Sequence, residues 1–117
     1  MLPNQSDVIK RLSELSRFLD SATDEIALFD DEAVRAKSLY EVKFAKSFLS
    51  SDGSMDLRKQ IANLDCSDEK LAMEIADAKV RAVKERINTL RSQISIGQSL
   101  SAALRQSFSA EGIGQNA

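Results

Sequence analysis

Ten apolar residues, Val8, Leu12, Leu15, Leu19, Ala22, Ile26, Phe29, Ala33, Ala36 and Tyr40, recur at alternating spacings of four and three without a slip. That period keeps one stripe of an α-helix turned toward a partner helix, whereas a strand repeats every two residues. A second run reads Ala76, Val80, Val83, Ile87, Leu90 and Ile94, and resumes at Leu104 and Phe108. Residues 67–108 contain no proline and a single glycine, Gly97, so nothing forbids one long helix there. No stretch shows strand-like alternation. The chain is therefore expected to be all-α, a helical hairpin of long coiled-coil-like helices.

Breaks in the pattern set the expected boundaries. Ser6 is a good N-cap ahead of Val8. The acidic triplet Asp30, Asp31, Glu32 either lies on the solvent face of one long helix or starts a second one, and because aspartate suits a first turn better than an interior, a break near Phe29–Asp31 is slightly favoured. Ser50-Ser51-Asp52-Gly53-Ser54 is the clearest turn, with Gly53 free to take a positive φ and Ser54 placed as the next cap. Leu57, Ile61 and Leu64 mark the apolar face of a short helix, and Asp65-Cys66-Ser67 is a softer break. Helix propensity falls again around Gly97, where a kink is expected. One helical domain, 1–110, follows, with helices at about 6–29, 31–50, 54–64 and 67–108 and a flexible tail at 111–117.

Leu71, Ile75, Ala78 and Ala82 give the last helix a second apolar face beside its seam. Two faces imply packing within a subunit on one side and between subunits on the other. The seam residues Val83, Ile87, Leu90, Ile94, Leu104 and Phe108 are the expected contacts of a homo-oligomer.

The net charge of −2 conceals strong blocks. Residues 1–32 carry eight acidic and three basic side chains, 33–63 three and six, 64–78 five and one, and 79–105 one and six. Fields fade over a Debye length of about 8 Å at physiological salt, so the blocks outweigh the sum. The basic 79–91 run can meet the acidic N-terminal block across an antiparallel partner.

Catalytic chemistry has little to work with. The chain has no histidine and one cysteine, which leaves out His-based triads, the usual zinc sites and an internal disulfide. Adjacent acids at 30–32 point in different directions around a helix, so a solvated helix start is favoured over a metal site. Cys66 lies near a helix start, where thiols are activated, but no histidine can serve as its base. The turn at 51–54 lacks the further glycine and lysine of a phosphate loop. No enzyme, cofactor or metal is expected. With no secretory start and no apolar run near the roughly 18 residues of a membrane span, a cytoplasmic protein is expected.

The cations around the turn are the more informative set. A binder of single-stranded nucleic acid needs a positive track for phosphates. Lys43 and Lys46 precede the turn, Arg58 and Lys59 follow it, and a hairpin could bring all four to one edge. A solvated face is the other reading of each charge.

A basic helix ending in Phe48-Leu49, the small polar turn, Ser54-Met55-Asp56 followed by Arg58-Lys59, then Leu64, Ser67-Asp68 and a long helix with an apolar end at 99–108 together resemble the phage recombination mediators of the UvsY type. The likeness spans residues 43–108. It implies a ring-like oligomer built through C-terminal helices, binding of single-stranded DNA, and loading of a RecA-type recombinase onto DNA coated by single-strand-binding protein. It also implies a bacteriophage source and work in the host cytoplasm. Lys43 best matches the family's DNA-contacting lysine; a second basic position two residues later is Ala45 here, with Lys46 one step beyond. The sequence thus supports an oligomeric, non-enzymatic single-stranded DNA-binding recombination mediator. The alternative is a coiled-coil structural or regulatory module that binds protein alone, such as a phage factor acting on a host protein.

Overall fold

A computed structural model describes residues 4–116, with side chains placed from 4 to 109. Three helices follow one another: α1, Gln5–Ser50; α2, Met55–Asp65; and α3, Ser67–Asn116. Among the described residues there is no strand, as the periodicity requires.

Each helix start has a local cause. The Asp7 N–H donates to Asn4 Oδ1 at 2.8 Å, and Asp7 Oδ2 reaches back toward the Asn4 N–H at 3.5 Å. This reciprocal pair makes Asn4 the cap of α1, in place of the expected Ser6. At its other end the Ser51 hydroxyl donates to the Ser47 carbonyl at 2.6 Å, satisfying an acceptor left free in the last turn. Gly53 then takes φ +111°, and Ser54 Oγ accepts from the Leu57 N–H at 3.2 Å to start α2. Between α2 and α3 only Cys66 leaves helical geometry. Its N–H still donates to the Ala62 carbonyl and its carbonyl still accepts from the Lys70 N–H, so the soft break is a one-residue jog.

One expected break is absent. α1 runs 46 residues through Asp30–Glu32, because these acids lie off the seam and both flanking heptads keep the same stripe covered. Asp31 also gains an exposed i,i+4 ion pair with Arg35 at 2.9 Å. α3 passes through Gly97, as the helix expected over 67–108 does, and remains helical to Asn116, past the expected end at 108. Side chains of the expected tail, and residue 117, lie outside the described residues.

Packing divides the chain into two compact units. One comprises residues 1–24 of the N-terminal part with 85–117. Here Val8, Leu15 and Ala22 of α1 and Ile87 and Leu90 of α3 are buried. The second comprises residues 25–84 and contains the end of α1, all of α2 and the start of α3. Its core joins Ala33, Ala76 and Val80, with Phe29 and Ala36 packed against them. Three alanines in that set let the two helices approach closely. The pairs Glu32–Lys79 and Lys43–Glu69 show that α1 and α3 run antiparallel within this unit.

All ten residues of the α1 seam are buried or half-buried, as expected. The short helix differs from its expected face. Arg58, Ile61 and Ala62 turn inward, while Leu57 and Leu64 are exposed. Ala62 and Cys66 are both 0% exposed, so small side chains, rather than leucines, form the tight contact here.

Candidate nucleic-acid interface

Lys43, Lys46, Arg58 and Lys59 all fall in the second unit, around the turn that joins α1 to α2. Their surroundings differ. Lys46 and Lys59 are exposed and, among the described residues, make no ion pair or hydrogen bond. Lys43 is engaged: its Nζ donates to Glu69 Oε1 at 2.6 Å. Arg58 is half-buried, and its Nε is enclosed without a hydrogen-bond partner. The expected four-cation edge therefore reduces to two free ammonium groups, one on each side of the turn. Acids share this region, with Ser47 Oγ donating to Asp65 Oδ2 at 2.7 Å and Asp52 and Asp56 exposed beside the turn.

Lys43 and Glu69 shift each other's titration. Hydrogen bonding by Lys43 holds the Glu69 carboxyl below its ordinary value, helped by the backbone N–H, and Glu69 in turn raises Lys43. The depressed acid stabilises the fold above its unfolded pKa and loses that contribution as pH falls through the folded one. The raised lysine stabilises below its unfolded pKa and loses its contribution as pH climbs through the folded one. Replacing Lys43 by methionine should lower Tm at neutral pH. That difference should shrink below the ordinary carboxylate range, where Glu69 is protonated. Thermal melts across pH check this; an unchanged difference in strong acid would remove the ion pair from the account.

Glu69 was not singled out by sequence reasoning. The available signal was the antiparallel alignment of the two seams, which sets the end of α1 beside the start of α3.

The same alignment alters the expected oligomer contacts. Val83, Ile87 and Leu90 are buried by their own chain, and Ile94 and Leu104 are half-buried. Val83, Ile87 and Leu90 therefore do not present a free surface to a second subunit. Phe108 is different: it is 76% exposed, at a shallow hollow bordered by Asn4, Gln5, Leu104 and Ser107. The basic run also finds acid within the chain. Lys79 Nζ lies 3.5 Å from Glu32 Oε1 and 5.6 Å from the Phe29 ring centre. With Asp31 on Arg35 and Glu32 on Lys79, two members of the acidic triplet serve separate ion pairs. Among the described residues, no three His, Cys, Asp or Glu side chains are grouped to hold a metal ion, and no helix is long and apolar enough to cross a membrane.

Comparison of the chain with protein-family models, with curated proteins and with solved structures found no match, so the site is read from its own residues.

Proposed function

We propose that this chain is a non-enzymatic, single-stranded DNA-binding accessory factor of phage recombination, acting as an oligomer in the host cytoplasm to help load a RecA-type recombinase. The observation carrying this reading is that Lys46 and Lys59 stand exposed and unpaired on either side of one turn. Two ammonium groups flanking a tight turn can each meet a phosphate of one strand. The resemblance of residues 43–108 to the mediator family supports the same assignment. With Asp52 and Asp56 nearby, the grip of one subunit is weak, and repeated copies supply the avidity.

The test is binding of a labelled oligothymidylate across a salt series. Phosphate contacts release counterions, about 0.7 per neutralised charge on a single strand, so the Lys46→Ala, Lys59→Ala double variant should lower the log–log salt slope by roughly 1.4. Binding indifferent to salt, or a slope unchanged in the variant, would overturn the reading.

A second reading is a module that binds protein alone. It is favoured by Leu49, Met55, Leu57 and Leu64, apolar side chains left exposed at the end of α1 and on the short helix α2. Absence of oligothymidylate binding at low salt, with capture of one specific protein, would decide for it.

A further inference from the structure

Arg58 differs from the other cations at the turn in being half-buried, where Lys43, Lys46 and Lys59 are exposed. It lies in the first turn of α2, with its N–H donating to the Ser54 carbonyl at 3.0 Å. Its Nε is enclosed and makes no hydrogen bond. Nη1 and Nη2 are not enclosed, and they too make no hydrogen bond or ion pair, so both reach solvent. Among the described residues, Glu69 Oε2 is the other enclosed side-chain atom without a partner, but its carboxylate is met by Lys43 at 2.6 Å. The charge of Arg58 is met by none. Asp52, Asp56 and Asp65 stand in the same region, and no one of them pairs with it.

A guanidinium does not give up its proton in a folded protein, so this charge stays. Keeping it half-buried beside no acid, with one donor unsatisfied, weighs against the folded state. A methionine would fill much of the same space without that cost. What the arrangement offers is a cationic fork of fixed aim. Packing holds the stem, so little rotamer freedom is lost when Nη1 and Nη2 take a partner, whereas an exposed lysine gives up most of its own. Two parallel N–H donors fit two oxygens of one phosphate. We propose that Arg58 anchors a single strand at this turn, Nη1 and Nη2 donating to the two non-bridging oxygens of one phosphate while Lys46 and Lys59 meet neighbouring phosphates as point charges. Resting on the single-stranded DNA reading above, this names the one contact there whose geometry is set before the strand arrives. A phosphate carries no base identity, so the anchor holds any sequence alike.

Arg58→Met and Arg58→Lys in the full chain test this by thermal melts and by oligothymidylate titrations across a salt series. Arg58→Met should keep its helicity and melt at or above the wild type, because an unpaired charge and an unsatisfied donor leave a half-buried site. It should bind oligothymidylate roughly 10- to 100-fold more weakly, as for the loss of charge-assisted hydrogen bonds, with a log–log salt slope lower by about 0.7. Arg58→Lys should keep the slope and recover only part of the affinity, since a point charge replaces the fork. An Arg58→Met protein that melts clearly below the wild type makes Arg58 a residue of the fold and overturns the proposal, as does one that binds like the wild type. The failures of the two readings separate. If the Lys46→Ala, Lys59→Ala double variant lowers the slope and Arg58→Met does not, the anchor alone is wrong. If Arg58→Met weakens binding and the lysine variant changes nothing, the anchor stands and the two-lysine grip falls. A wild type that does not bind refutes both.

Discussion

Leu90→Asp should unfold the chain instead of releasing a folded monomer. Leu90 is 7% exposed, covered by its own chain. Truncating such a leucine to alanine costs about 2–5 kcal/mol, transfer and cavity together. An aspartate adds an unpaired carboxylate among apolar neighbours, worth several kcal/mol more unless it takes up a proton. A domain's whole stability is about 5–15 kcal/mol, so one substitution can remove most of it. Leu71→Asp, on the same helix but 57% exposed, is the control and should change helicity little. Circular dichroism melts with native mass separate the alternatives. If Leu90→Asp gives a fully helical protein of reduced mass, the α3 seam is an intermolecular surface and the in-chain burial does not hold in solution.

This prediction turns on what periodicity can and cannot say. A four–three alternation fixes that a face must be covered, because side chains three and four apart share one side of a helix. It does not say whether the covering helix belongs to the same chain. The α1 seam was legible in full, the α3 seam as far as Leu104 but not at the exposed Phe108, and the turn at Gly53-Ser54 was legible in chemical detail. Their pairing was not assigned, so residues that close the fold were expected to build an oligomer.

The misplaced boundaries have local explanations. Asn4 and Ser6 can each cap a helix, and the choice fell to Asn4 because Asp7 stands three residues later to return the bond. The acidic triplet looked like a start because aspartate is a poor interior residue. That cost is a fraction of a kcal/mol per residue, small beside continuous burial of the seam on both sides. In α2 the leucines were misleading: close approach at Ala62 and Cys66 put the small residues inside and left Leu57 and Leu64 out. The candidate site was legible as a set of cations but not as a set of free ones. Glu69 lies 26 residues from Lys43, and the Nε of Arg58 is buried without a hydrogen-bond partner.

Gly97 shows how far a residue's role can depart from its propensity. It sits between Ile94 and Leu104 on the inward side of α3, where a Cβ would come within 2.6 Å of Leu12 Cδ2 and 3.3 Å of Leu12 Cγ. What reads as a helix weakness is a place where the Leu12 side chain of α1 lies against the α3 backbone in the first unit. Gly97→Ala should be nearly neutral. Its gain in helix propensity, about 1 kcal/mol, offsets the turning of the Leu12 side chain toward the adjoining hollow between Val8, Leu15, Ile96 and Leu100. Gly97→Ile should not be. A β-branched residue in a helix is held near one χ1, so its γ-carbons cannot both swing clear, and overpacking of this kind costs about 1–3 kcal/mol. Adding Leu12→Ala should return part of that loss, so that the two changes together cost less than their sum by about 1 kcal/mol or more. Urea unfolding of the four proteins gives the coupling directly. Additive costs would mean that Gly97 and Leu12 do not touch, and the close approach would then have to be abandoned as the reason for glycine at this position.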